Sequence, residues 1–290
     1  MARGLDHIVH AVRDLDAAAD IYRRLGFTVG ARNRHPWGTH NHIVQLPGFF
    51  IELLTMAEPE KLGTDGFSVF FGSFHRRFLE RHEGLSMLLL ESADAEGDAR
   101  AFGEAAIAAS GAMRFEREGR RPDGSPVEVV FSLGFARDVG APDIGFAVCQ
   151  QHYPENFWNP AFQSHANCVV GIASVVIVAE NPTDHHIFLS AFAGERELQS
   201  TSSGIRIATA RGDIHVMDPS AYRNYFGVPP PDIGTGARLA AMRFVTGDMA
   251  ATTASLARGK VAFSSRLGRI IVGPDGAMGA AIVFEEPAAA

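Results

Sequence analysis

Disulfide chemistry is the first thing this chain lacks. Its 290 residues hold two cysteines, Cys149 and Cys168. That is too few for a disulfide framework, and they do not form the paired C-x-x-C spacing of a structural zinc site. A reducing, cytoplasmic setting is the expectation. Long apolar runs are missing as well: no stretch approaches the ~18 residues that cross a bilayer, and the first residues lack the basic-then-apolar order of an export signal. No membrane partner is expected. Positive charge is in deficit, with 26 Lys and Arg against 33 Asp and Glu and a net charge of −7. Phosphate backbones need clustered cations, so nucleic acid is not an expected partner either. The short basic run from Arg117 to Arg121 reads as solvated loop charge. Also absent are a GxSxG nucleophile elbow, a phosphate-cradling GxxxxGKS/T loop and a dinucleotide fingerprint after a strand. Gly234 and Gly236 precede no helix-opening lysine and read as a linker.

What is there describes an ordinary globular protein, 46% hydrophobic with a mean hydropathy of +0.02. At ~150 residues per domain, the length suggests two domains. One order of elements recurs along the chain. Leu5–Val12 is short and β-rich, Asp14 is placed to cap a helix entered at Asp16, and Gly26 ends that helix in the left-handed position. Phe27–Val29 is expected to begin a strand. Asn41–Leu46 and Phe49–Leu54 are expected as a hairpin around Pro47-Gly48. The same β-α-β-β-β order is opened again by Gly84–Leu90, Gly171–Val178 and Leu239–Val245. Four βαβββ modules follow, at about 4–56, 84–151, 169–218 and 237–286, making the fold class α+β. The aromatic, Asn-rich stretch 151–167 reads as the link between an N-terminal domain, 1–160, and a C-terminal domain, 161–290. The tail from Pro287 reads as a frayed end.

The opening phrase Leu5-Asp6-His7-Ile8-Val9-His10-Ala11-Val12-Arg13-Asp14, with Leu25-Gly26-Phe27, resembles the first module of the vicinal oxygen chelate superfamily. That group includes glyoxalase I, extradiol dioxygenases and bleomycin-resistance proteins. The loop Arg34-His35-Pro36-Trp37-Gly38-Thr39, the strand Phe50-Ile51-Glu52-Leu53 and the later Cys149-Gln150, Trp158 and His165-Ala166-Asn167 narrow the resemblance to its glyoxalase-like subgroup. It implies modules paired into cup-shaped mixed sheets. It also implies a divalent metal (zinc, iron, manganese or nickel) held in the cup, where it chelates vicinal oxygens of a small substrate. His7 takes the first-strand ligand position and Glu52 the last-strand position.

Hairpin geometry supports that pair. A tight turn at Pro47-Gly48 pairs Leu46 with Phe49 and Ile43 with Glu52, so Asn41, Phe50 and Glu52 share one face. A carboxylate among Phe, Ile and Leu is costly to bury unless it is paired or bound to metal. One reading makes His7 and Glu52 metal ligands, with His165 as the third donor. The other makes them a His–Glu hydrogen bond inside the cup. Without metal, Glu52 is a candidate catalytic base, because burial raises a carboxyl's pKa.

Substrate contacts are expected from Arg34, His35, Trp37, Asn41 and Asn167, while His40, His42, Cys149 and His152 are weaker ligand candidates. His165 and Asn167 can equally be capping residues that fix the domain junction. Phe67, Phe70, Phe71 and Phe74 read as core, or as the wall of an apolar pocket. His75, His82, His185 and His186 read as solvated. Aligning the modules places Met87, Ser174 and Ala241 at the ligand position of the other three, so the second half is expected to be a structural or regulatory partner. The implied function is a metal-dependent lyase, isomerase or dioxygenase acting on a small carbonyl or vicinal-oxygen compound. The alternative is a metal-free binding or sequestering protein of the bleomycin-resistance type. A monomer or homodimer suffices for either.

Overall fold

A computed structural model describes residues 2–120 and 124–287 of the chain. Part of the basic run, at Arg121, and the tail residues 288–290 lie outside the described residues. Among the described residues the strands form two eight-stranded mixed sheets. The first is built from β1 (Leu5–Ala11), β2 (Asn33–Arg34), β3 (Thr39–Leu46), β4 (Phe49–Met56), β5 (Gly84–Glu91), β6 (Ala108–Arg120), β7 (Pro126–Ala136) and β8 (Gly145–Gln151). Their order is β2-β3-β4-β1-β5-β8-β7-β6. The second repeats the plan with β9 (Val169–Val178), β10 (Gln199–Thr201), β11 (Gly204–Ala208), β12 (Asp213–Met217), β13 (Arg238–Thr246), β14 (Ser264–Arg266), β15 (Arg269–Val272) and β16 (Ala281–Glu285). Its order is β10-β11-β12-β9-β13-β16-β15-β14. This is the α+β arrangement expected from the repeat, with the cup-shaped mixed sheets that the resemblance implies.

Strand alternation sorts the side chains into three cores. On the outer faces, Ile8, Leu53, Leu88 and Val148 of the first sheet meet Val175, Ile177, Ile214 and Ile282 of the second in one continuous cluster. Helices α1 (Leu15–Arg24), α3 (Ala95–Glu104), α5 (His186–Ala193) and α7 (Met249–Arg258) contribute Tyr22, Phe102, Phe192 and Leu256 to it. The inner face of the first sheet, with Val9, Leu54, Leu89 and Cys149, is lined by Trp37 and Phe71. Phe71 lies in the helical segment that runs through Ser68–Ser73 into α2 (Phe74–Arg81). The inner face of the second sheet is filled by Tyr222 and Phe226 of α6 (Pro219–Phe226), which Asp218 caps through the Ala221 N–H.

The expected strand at Phe27–Val29 does not form; these residues are irregular. The Thr28 N–H donates to His165 Nδ1 at 3.0 Å, and Phe27 packs against Phe244 and Phe284 of the second half. The segment is recruited by the junction instead of a neighbouring strand. Beyond β8 the chain forms α4 (Pro154–Phe157) and returns to the rim of the first cup.

Candidate functional site

His7 stands in the middle of the first cup because of a bulge. On β5, Leu5 pairs with Leu90 and His7 with Leu89, so Asp6 is left over between them. An extra residue reverses the alternation, and Asp6 and His7 therefore both turn to the inner face. Asp6 Oδ1 meets His7 Nδ1 at 2.5 Å, Gln151 Nε2 donates to Asp6 Oδ2 at 2.9 Å, and the imidazole stacks on Phe50 with ring centres 4.1 Å apart. Cys149 of β8 completes the group: one ligand atom each from Asp6, His7 and Cys149 lie within 4.8 Å of one another, and all three residues are buried. Burial, reinforced by the negative charge of Asp6 and Glu52, pushes the Cys149 thiol well above its ordinary pKa. That donor set, one oxygen, one nitrogen and one sulfur, fits a divalent transition metal, most naturally zinc or iron.

The other side of the cup belongs to Glu52. The expected hairpin register is observed, with Leu46 opposite Phe49 and Ile43 opposite Glu52. Asn41 Nδ2 donates to Glu52 Oε1 at 2.5 Å. Burial nevertheless raises the carboxyl's pKa, against the opposing pull of His7, the Asn41 hydrogen bond and Arg117. His35 Nε2 lies 3.9 Å from the same oxygen, but its pKa is pushed down to about 3 by burial, Arg117, His75 and His40. It is neutral at pH 7 and brings no charge to Glu52. Glu52 belongs to no group of three His, Cys, Asp or Glu ligand atoms within 4.8 Å of one another among the described residues. It is a carboxyl at the same lining as His7 and Cys149.

Between them lies a cavity of about 70 Å³, on a scale where one water takes roughly 10–15 Å³. Its walls are Trp37, Phe50, Phe67, Phe71, Phe115, Phe131, Leu133 and Phe157, with Arg117 the one guanidinium at the lining among the described residues. Trp37 stacks between His35 and Phe67. Gly38 makes this placement available: its φ is +90°, and a Cβ there would lie 2.0 Å from the Glu58 carbonyl oxygen. No residue with a side chain turns the loop so tightly.

His7, Glu52, His35, Trp37 and Asn41 thus meet at one cavity. His165, Asn167 and Arg34 do not line it. Arg34 is exposed. His165 is engaged at the junction by the Thr28 N–H and, through Nε2, by the Gln45 carbonyl at 2.8 Å. Asn167, fully buried, donates to the Leu25 carbonyl and accepts from the Val169 N–H. Both fix the joint between halves. His40 donates to Glu58, His42 to the Gly30 carbonyl, and His152 pairs with Ser132. His75 and His185, expected in solvent, are buried; His75 bonds Phe71 and Ser86, and His185 bonds Asp138.

Two participants escaped the sequence reading: Asp6 needs the bulge, and Arg117 lies on β6 with its guanidinium at the cavity instead of in a solvated loop. Cys149, a weaker candidate in the sequence, is brought to the cluster by β8. Across the sheet, Leu89 stands opposite His7 and Met87 opposite Val9.

In the second cup, Arg243 stands opposite Ser174. Ser174, His215, Arg243 and Glu285 occupy the positions of His7, Glu52, Leu89 and Cys149. Glu285 accepts from both Arg243 and Arg269, and burial beside these arginines pushes His215 down to about 3. This cup is closed by its own ion pairs and by α6.

Residues 5–192 match the family described as a glyoxalase-like domain. No curated protein matches the chain. Three solved structures share the fold. A hypothetical protein from Staphylococcus aureus is similar at 13% identity and a TM-score of 0.69, covering 98% of this chain and 100% of its own. A mutant 4-hydroxymandelate synthase from Streptomyces coelicolor is similar at 12% identity and 0.60, covering 100% and 94%. A fusion of a xylose isomerase-like TIM barrel with a 4-hydroxyphenylpyruvate dioxygenase is similar at 12% and 0.54, covering 100% of this chain and 50% of that one.

Proposed function

This chain belongs to the glyoxalase-like domain family of the vicinal oxygen chelate superfamily, and on that premise we propose that its first cup is a metal-assisted proton-transfer site for a small, largely apolar carbonyl compound. One observation carries the reading: Glu52, buried and with its pKa raised, faces the same aromatic cavity as His7 and Cys149 of the three-donor cluster. Asp6, His7 and Cys149 are the residues that would hold the metal, which when bound supplies polarisation of a carbonyl or enolate oxygen.

Everything else is the work of the chain's own side chains. Phe50, Phe71, Phe115 and Phe131 exclude water and receive the apolar body of the substrate. Asn41 fixes one oxygen of Glu52 and leaves the other toward the cavity. Glu52 then takes a proton from carbon beside the carbonyl and returns it at a neighbouring position, a role for which a raised carboxyl pKa is suited. Neutral His35 leaves that carboxyl unpaired, and Arg117 holds developing negative charge near the cavity mouth. Proton transfer of this kind opens lyase and isomerase reactions, and the buried carboxyl favours these over dioxygenation.

Solvent exchange tests the proposal before any product is known. Aryl-substituted 2-oxo acids and hydroxyketones are incubated in D2O with the zinc-loaded or iron-loaded protein, and loss of the C–H signal is followed by NMR. The expected result is exchange faster than in buffer, slowed about 10²–10⁴-fold in Glu52→Gln. No acceleration with any compound, or full rate in the variant, would overturn it.

A second reading has its own support. Leu89 stands opposite His7 and offers no ligand, which favours a metal-free binder of the bleomycin-resistance type. That reading requires equal affinity for a cavity ligand with and without metal.

A further inference from the structure

Where the two halves meet, a second cavity of about 250 Å³ opens between His82-Glu83, just after α2, and the segment Pro229–Asp232 of the second half. One wall is Arg238, the first residue of β13, only 5% exposed. Its guanidinium lies 5.3 Å above the Phe78 ring. Among the described residues it has no hydrogen-bond or ion-pair partner, and its Nε is fully buried without one. A buried cation left without a partner is costly, and a guanidinium presents a planar fork matched to an oxyanion.

The carboxylates nearby are committed elsewhere. Asp143 accepts from Arg81 at 2.5 Å and from Thr235 Oγ1 at 2.7 Å. Glu83 accepts from the Arg13 N–H at 2.7 Å, and Asp232 from the Gly234 N–H at 2.9 Å. Asp143 and Asp232 favour the charge of Arg238 from a distance without closing its fork. Burial, then the charge of Arg238, lowers the His82 pKa, so His82 adds no second cation.

We propose that this cavity is a binding site for a small organic monocarboxylate, whose carboxylate is taken by Arg238. The surrounding Asp143, Asp232 and Glu83 repel a dianion such as phosphate more strongly than a monoanion. The remaining walls, Pro229–Pro231, Tyr222, Ala240 and Pro274, are apolar or aromatic and suit a short hydrocarbon or aryl body. Because His82 and Arg238 belong to different halves, an occupied site ties the halves together and stands apart from the first cup.

The test is thermal unfolding with propanoate and with benzoate, set against chloride and inorganic phosphate at matched ionic strength. It is run in an Arg117→Met background so that the first cup offers no guanidinium. The expected result is a concentration-dependent rise in midpoint with the monocarboxylates alone, and at least tenfold weaker apparent affinity after Arg238→Met. Arg238→Met removes an unpartnered buried cation, so it is expected to unfold at no lower temperature than its parent without ligand. Arg238→Lys, which keeps the charge but not the fork, should weaken binding as well. No rise with either carboxylate, an equal rise with phosphate or chloride, or a rise that survives Arg238→Met would overturn the proposal.

Discussion

Glu52 has its charged form disfavoured by burial, and this ties its chemistry to the stability of the protein. A pKa raised above the unfolded value means that the contribution of this group is fully present below the ordinary carboxylate range. It is lost as pH rises through the folded-state pKa. Replacing Glu52 by Gln should therefore raise the thermal midpoint above that of the wild type at pH 8, with the difference shrinking toward pH 4. Midpoints measured across that range check it, and an acid-side gain would contradict it. At this scale the sequence was informative where the backbone stays regular. Glu52 and Asn41 followed from strand alternation and one hairpin turn, and His7 from the family resemblance. Asp6 did not, because a bulge has no local signature in Leu-Asp-His-Ile-Val. Arg117 looked like one charge among many until β6 carried it to the cup. His165 and Asn167 have the polarity of site residues, but their hydrogen bonds go to Leu25, Thr28, Gln45 and Val169 at the junction.

Element-scale differences between the two sheets decide which cup is open. The first is roofed by the segment 67–81, whose Phe67 and Phe71 stand at the cavity margin. The second is filled by α6, with Tyr222 and Phe226 fully buried. The start and stop signals of α6, Asp218-Pro219 and Gly227, are plain in the sequence. It was overlooked because it falls between two repeat units, in a stretch that repeat alignment treats as linker. Phe226→Ala should destabilise the protein by about 3–5 kcal/mol, the range for an aromatic side chain removed from a core. Affinity for a ligand of the first cup should stay within about twofold. Denaturant midpoints and a binding titration on the same variant separate the two effects.

For the whole molecule, the repeat predicted two halves but not how closely they are fused. Phe27 of the first half packs on Phe244 and Phe284, and Phe146 on Phe188 and Phe192. His10 bonds Tyr22 in its own half and the Met278 carbonyl in the other. Arg211 pairs with Glu91 across the joint at 2.9 Å. Sequence periodicity reveals which faces are apolar, whereas the partner of each face is a three-dimensional fact that no local pattern encodes. With its outer face stripped of these partners, a chain ending at residue 160 should fail to give a cooperative unfolding transition; calorimetry of that fragment beside the full chain checks this.

The central claim is that Asp6, His7 and Cys149 form a metal site facing Glu52. Titration with cobalt(II), read by its absorption, tests it most directly, because a thiolate ligand announces itself as a sulfur-to-cobalt charge-transfer band. The account predicts that this band saturates at one equivalent, disappears in Cys149→Ser, weakens in His7→Ala and persists in Cys168→Ser. No saturable binding, or a band that survives Cys149→Ser, would contradict it.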